Sequence, residues 1–141
     1  MSNDDALRDL IADSHLATLA TIRRDGRPQL SNVSYTYDRE RDLIRVSITD
    51  DRAKTANLRR DSRATVLVNA KDGWSYAAAD VTADVLPVAG APDDDSVEEL
   101  ISIYRAIGGE HPDWDDYRRA MVEDHRLPLH LHVERVYGLV R

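Results

Sequence analysis

Val33, Tyr35 and Tyr37 alternate with polar neighbours at period two, as do Val81, Ala83 and Val85 further on, a pattern that predicts strands. Ahead of it, Leu7, Leu10 and Ile11 recur at helical spacing behind Ser2 to Asp5, whose side chains suit a helix N-terminus, so a short amphipathic helix is expected first. His15 to Ile22 is apolar and β-branched and stops at Arg24-Asp25-Gly26-Arg27. Asp-Gly between two such runs predicts a hairpin into a second strand, Gln29 to Tyr37, with Val33, Tyr35 and Tyr37 on one face. The polar turn from Asp38 to Asp42 leads to a third strand, Leu43 to Thr49.

The pattern then changes. Asp51 to Arg60 has helix-forming composition and ends at Asp61-Ser62; Thr65 to Val68 reads as a fourth strand, turned at Lys71-Asp72-Gly73. Trp74 to Val88 predicts a long fifth strand, bent or divided, with Val81, Ala83 and Val85 alternating. Pro92 and Asp93 to Asp95 suit a helix start. Val97, Leu100, Ile101 and Tyr104 keep helical spacing from there to Gly108-Gly109. A further helix spans Pro112 to Asp124, with Trp114, Tyr117 and Met121 on one face, and Leu129, Leu131, Val133 and Val136 form a last strand. Six mostly antiparallel strands with few helices predict a mainly β (α+β) fold: a small six-stranded antiparallel barrel with peripheral helices. The order is not the alternating βαβ of dinucleotide-binding folds, and neither a Gly-rich fingerprint nor a Walker sequence is present.

At 141 residues with 42% hydrophobic content the chain is expected to form one domain, residues 1–141, with a real core. The absence of Cys removes disulfides, thiolate nucleophiles, Cys-ligated zinc and iron–sulfur clusters. A net charge of −7 argues against general nucleic-acid binding. No apolar run approaches the roughly 20 residues of a membrane span, and the acidic, polar start is unlike a secretory signal, so a soluble cytoplasmic protein is expected.

Against this acidic background, residues 52–63 carry five cations and one carboxylate, a local net of +4. Arg52 and Lys54 fall at the predicted start of a helix, where unpaired backbone N–H groups and cations together suit a phosphate; a solvated basic face is the alternative. Gln29, Ser31 and Asn32 interrupt the second strand's apolar pattern. Hydrogen bonding to a planar heterocycle explains them, and so does a solvent-facing side. His130 and His132 share one strand face, as a two-ligand metal arm would, or as surface or interface histidines. The paired carboxylates suit helix N-termini better than acid–base catalysis. No Gly-x-Ser-x-Gly supports a hydrolase triad. Trp74, Tyr76, Trp114 and Tyr117 read mostly as core, with Trp74 and Tyr76 beside a turn where they would also flank a ring-shaped ligand.

As an ordered set, several segments resemble the split β-barrel flavin/deazaflavin superfamily that includes pyridoxamine 5′-phosphate oxidase. The likeness is closer to the actinobacterial branch of coenzyme F420-dependent (deazaflavin) reductases. They are Leu19-Ala20-Thr21-Ile22, Asp25-Gly26-Arg27-Pro28-Gln29, Leu30-Ser31-Asn32-Val33, Arg52 to Asp61 and Asp72-Gly73-Trp74-Ser75-Tyr76. Tail segments Ala91 to Asp95, Tyr104-Arg105, His111 to Arg118 and Val136 to Leu139 extend the likeness over nearly the whole chain.

The resemblance implies a homodimer with F420 in a groove at the subunit interface. It implies that Arg52 and Lys54 hold the cofactor phosphate with Asn57 nearby, that Gln29, Leu30, Ser31, Asn32 and Val33 line the ring and side chain, and that Ser47, Ile48 and Thr49 run beneath the ribityl chain. Trp74 and Tyr76 would approach from the partner subunit. The oxidase branch commonly has Ser-Arg-Lys where this chain has Arg52-Ala53-Lys54, and the residues that grip pyridoxal phosphate have no match here. The Arg52-Ala53-Lys54 departure leans toward the deazaflavin over FMN and away from oxidase activity. The implied activity is hydride transfer from reduced deazaflavin to a small electron-poor acceptor such as an enone or quinone, with water or a single Tyr supplying the proton. An FMN-dependent oxidoreductase of the same fold and a non-catalytic F420 carrier are the alternatives.

Overall fold

Ten elements follow one another in the computed structural model, which describes residues 3–141: α1 (Asn3–Ala12), β1 (Leu16–Ile22), β2 (Pro28–Asp38), β3 (Leu43–Thr49), α2 (Ala53–Arg60), β4 (Arg63–Asn69), β5 (Tyr76–Val85), α3 (Asp95–Gly108), α4 (Trp114–Glu123) and β6 (Arg126–Leu139). The expected cap at Ser2 lies outside the described residues. The six strands close into an antiparallel barrel in the order β1-β2-β3-β6-β5-β4. Closure pairs β1 with β4 and β3 with β6, so no strand keeps a free edge along its whole length.

Alternation decides what fills the barrel. Ala17 and Leu19 of β1, Ala64, Val66 and Val68 of β4, and Leu127, Leu129 and Leu131 of β6 are all buried in one cluster, joined by Leu7 and Ile11 of α1. The Tyr35 hydroxyl reaches the same helix and donates to Ile11 O at 2.6 Å, and burial pushes its phenol up to about 12. A second cluster, from Val97, Leu100, Ile101, Tyr117 and Met121, joins α3 to α4. Among the described residues, no helix is long and apolar enough to cross a membrane.

The turns form where Asp-Gly predicted them, with Gly26 at φ 85° and Gly73 at φ 79°. Asp72 Oδ1 accepts from the N–H groups of Trp74 and Ser75, which starts β5 at Tyr76 rather than Trp74. β5 is one undivided strand; the irregularity falls instead on β6, where Glu134 is passed over between Val133 and Arg135 in the pairing with β5. β6 begins three residues earlier than its apolar pattern suggested, because Arg126, Leu127 and Pro128 pair with Thr49, Ile48 and Ser47. α3 starts at Asp95 rather than Ala91, because the Asp94 carboxylate caps it by accepting from Val97 N at 2.9 Å. Trp74 is not core: it is 66% exposed, with the Arg141 guanidinium stacked over its ring.

One departure from a regular barrel matters most. β2 pairs with β1 over Pro28–Ser34, but with β3 only over Tyr35–Asp38. The first half of β2 and the last residues of β3 therefore separate, and the barrel wall splits between them.

Candidate functional site

A cavity of about 740 Å³ occupies that split. Ser31, Asn32, Val33 and Ser34 of β2 form one side, and Ser47, Ile48 and Thr49 of β3 the other. The N-terminal end of α2 and the first residue of β6 add Arg52, Lys54 and Arg126. The remaining wall comes from the helical pair: Ile103, Tyr104, Ile107 and Gly108 of α3 with Tyr117 and Met121 of α4.

The cationic side is built by local geometry. Thr55 Oγ1 donates to Thr49 O at 2.7 Å and starts α2 immediately after β3. Arg52 occupies the N-cap position in extended conformation, and no side chain caps the helix. Thr55 N and Ala56 N donate to Arg52 O, so among the described residues the first-turn N–H groups of Ala53 and Lys54 are left for another acceptor. The Arg52 Nε donates to Thr49 Oγ1 at 3.2 Å, Lys54 Nζ to Ser31 Oγ at 3.4 Å, and an Arg126 Nη to Ser47 O at 3.3 Å. All three partners are neutral, and among the described residues none of these cations is paired with a carboxylate. Arg126 Nε is buried with no hydrogen-bond partner among the described residues. Burial lowers the Lys54 ammonium below the ordinary lysine range, and the positive charges of Arg52 and Arg126 lower it further. Such a group of uncompensated cations fits an anion, whose binding would satisfy Arg126 and raise the Lys54 ammonium again.

Eight of the residues expected from the sequence meet here: Ser31, Asn32, Val33, Ser47, Ile48, Thr49, Arg52 and Lys54. Five do not line the cavity. Gln29 and Asn57 instead hold α2 on the barrel: Thr21 Oγ1 donates to Gln29 Oε1 and accepts from Asn57 Nδ2, both at 3.1 Å, and Asn57 Oδ1 accepts from Arg60. Leu30 faces outward and is 62% exposed. Trp74 sits in the β4–β5 turn, and Tyr76 pairs with Asn69 and Leu139 at the start of β5.

The rest of the basic island is spoken for. Arg59 bridges to Asp50 at 2.6 Å, Arg60 donates to Ile22 O at 2.7 Å, and Arg63 pairs with Asp61. His130 Nε2 lies 2.5 Å from Glu99 Oε1, and the His130 and His132 rings meet edge-on at 6.3 Å.

Sequence reasoning missed Arg126 and the α3–α4 wall. An arginine opening an apolar strand was the available signal for Arg126; nothing local linked it to Arg52 and Lys54. Tyr104 and Tyr117 were legible only as members of helix faces. In the fold Tyr117 is buried and donates to Leu100 O at 3.1 Å, and burial pushes its phenol up to about 12. Tyr104 makes edge contacts with Tyr117, His111 and Trp114 at centroid distances of 5.2, 5.2 and 5.6 Å. The site therefore joins a cluster of cations to an apolar, aromatic wall, an arrangement suited to a ligand with an anionic arm and a flat ring.

Comparison with known proteins agrees with the architecture. A conserved hypothetical protein from Mycobacterium tuberculosis superposes with a TM-score of 0.72 at 21% identity, over 98% of this chain and 84% of that one. An F420 reductase gives 0.63 at 18%, over 97% and 98%. A FAD-binding protein from Mesorhizobium loti gives 0.67 at 14%, over 98% and 92%. At these identities the likeness is one of fold. The family model described as pyridoxamine 5′-phosphate oxidase matches residues 4–139, and with nearly the whole chain so covered, this protein belongs to the pyridoxamine 5′-phosphate oxidase family.

Proposed function

We propose that the protein is an F420-dependent reductase acting on a small electron-poor organic acceptor such as an enone or quinone. The observation that carries this reading is the cluster of Arg52, Lys54 and Arg126, unpaired with carboxylates, beside an apolar cavity wall. When bound, reduced deazaflavin supplies a hydride from its ring carbon; the protein's part is placement and electrostatics. Arg52 and Lys54, with Arg126 added, would hold the phosphate-bearing arm, and Lys54 would be held charged by it. Ser31, Asn32 and Val33 would line the ring, and Ser47, Ile48 and Thr49 would run beneath the linking chain. Helices α3 and α4 form the remaining wall and would shield the ring from water. That an F420 reductase and a FAD-binding protein share the fold supports a redox cofactor of this shape.

We further take the working form to be a homodimer. Leu16 and Leu30, each 62% exposed, and Trp74 place large apolar surface outside the barrel, which supports burial against a second copy. In that arrangement Leu30, Trp74 and Tyr76 would reach the cofactor from the partner subunit.

Paired equilibrium titrations with F420 and FMN, read by ligand fluorescence, test the reading, with light scattering reporting the oligomeric state. Tighter binding of F420, followed by turnover of an artificial acceptor, is the expected result. Preference for FMN would move the protein to a flavin-dependent oxidoreductase. F420 binding without turnover of any acceptor would make it a carrier, and binding of neither would end the proposal.

A further inference from the structure

We infer that the α3–α4 wall of the cavity is a subsite for a neutral, flat aromatic carbonyl compound, and that the Tyr104 hydroxyl is its specificity-determining hydrogen-bond donor. This rests on the proposed reading in one respect: the cations of the cavity are taken by the cofactor, leaving this wall for the second ligand.

The chemistry of the wall is one-sided. Its six residues, Ile103, Tyr104, Ile107, Gly108, Tyr117 and Met121, include no charged side chain. A charged ligand placed against it would lose hydration with nothing in return, so a neutral one is selected. Two hydroxyls are present. That of Tyr117 is committed to Leu100 O at 3.1 Å, whereas that of Tyr104 has no partner among the described residues.

The Tyr104 ring is held in place. His111, Trp114 and Tyr117 each meet it edge-on or nearly so, with interplanar angles of 65°, 81° and 65°. Those neighbours are themselves fixed: Trp114 Nε1 donates to Glu110 at 2.9 Å, and His111 Nδ1 accepts from Asp113 N at 2.9 Å. A donor on so constrained a ring loses little freedom when a ligand arrives. Gly108, another wall residue, supplies the space. A Cβ there would lie 3.8 Å from Tyr104 Cε1 and 3.9 Å from Cζ, the atom bearing the hydroxyl. A longer side chain at Gly108 would therefore occupy the strip beside the donor that a ligand carbonyl needs.

The test uses two ligands of nearly one shape, 2-acetylnaphthalene and 2-ethylnaphthalene, in equilibrium dialysis against the full chain. The wild type is expected to bind both. Tyr104→Phe keeps every ring contact and should weaken the ketone by about tenfold while leaving the hydrocarbon unchanged. Gly108→Val should weaken both. Equal ketone binding by wild type and Tyr104→Phe, or no ketone binding by the wild type, would overturn the inference. F420 titration of the same proteins separates the two proposals. Equal ketone binding by wild type and Tyr104→Phe, with F420 binding intact, refutes the subsite alone. Retained discrimination in a protein that does not bind F420 supports the subsite and refutes the cofactor reading.

Discussion

Arg45 on β3 and Glu99 on α3, fifty-four positions apart, meet at 2.6 Å and clasp the wall helix of the cavity to the barrel. Glu99 uses its other oxygen on His130 of β6, and Ser102, one turn along α3, accepts from Arg45 at 3.2 Å. Because Ile103 and Tyr104 follow directly on the same helix, this clasp sets where the aromatic wall stands relative to the split in the barrel.

The clasp is acid-sensitive. Burial pushes the Glu99 carboxyl up, but hydrogen bonds from Arg45 and His130 outweigh it, and the net displacement is below the ordinary value of 4.5. A carboxyl depressed in the folded state contributes stability that is present above its unfolded value and lost as pH falls through its folded one. Denaturant unfolding of the wild type should therefore weaken as pH drops below about 4.5, and Glu99→Gln should remove part of that slope. At pH 7 the same variant should cost about 2–3 kcal/mol, since it leaves the largely buried Arg45 short of its counter-charge. A pH-independent difference between the two proteins would show that the clasp carries no such linkage.

The cation cluster makes a selective prediction. Arg126→Ala and Lys54→Ala should each weaken F420 binding by roughly 10- to 100-fold, as expected for a lost charge-assisted hydrogen bond of about 1.5–3 kcal/mol. Arg63→Ala, which removes a cation from the same basic island but one paired with Asp61 on the surface, should leave the affinity unchanged. If Arg63→Ala and Arg126→Ala weakened binding equally, general charge rather than this site would be responsible.

Lys54 adds a pH dependence to the same measurement. Its ammonium is depressed by burial and by Arg52 and Arg126, and a bound anion would raise it again. Binding is then coupled to proton uptake, so affinity for F420 should fall as pH rises through the depressed Lys54 value toward 10.5. Lys54→Met should flatten that profile; an unaltered alkaline limb in the variant would assign it to another group.

Gly138 tests the packing that closes the barrel. It stands at φ 151°, opposite Ala77 on β5, and a Cβ there would fall 2.2 Å from Tyr76 O and 3.0 Å from the Leu7 side chain. Gly138→Ala must displace backbone and should cost at least about 2–3 kcal/mol in chemical denaturation. By contrast, Gly26→Ala meets no neighbouring atom and pays only for its positive φ, about 1 kcal/mol.

Much of this protein is determined locally and so is legible in its sequence. Apolar and β-branched runs place β1, β3 and β4, the alternation of Val33, Tyr35 and Tyr37 places β2, and Asp25-Gly26 and Asp72-Gly73 turn where glycine adopts positive φ without strain. Arg52, Lys54 and the polar run through Ser31 and Asn32 stand out because each breaks a local rule of charge or pattern. The tertiary structure decides what depends on register and closure. Whether β2 pairs with β3 along its whole length or joins it only from Tyr35 onward is a matter of pairing across the barrel, and that separation before Tyr35 is what opens the cavity. Arg126 reaches Ser47, seventy-nine positions away, only because β6 inserts between β3 and β5. Gln29 and Asn57 look like ligand-binding residues in the sequence, but the shared Thr21 hydroxyl turns both to holding α2 in place. Long-range contacts of this kind are fixed by how the elements pack, and no short segment of the chain carries that information.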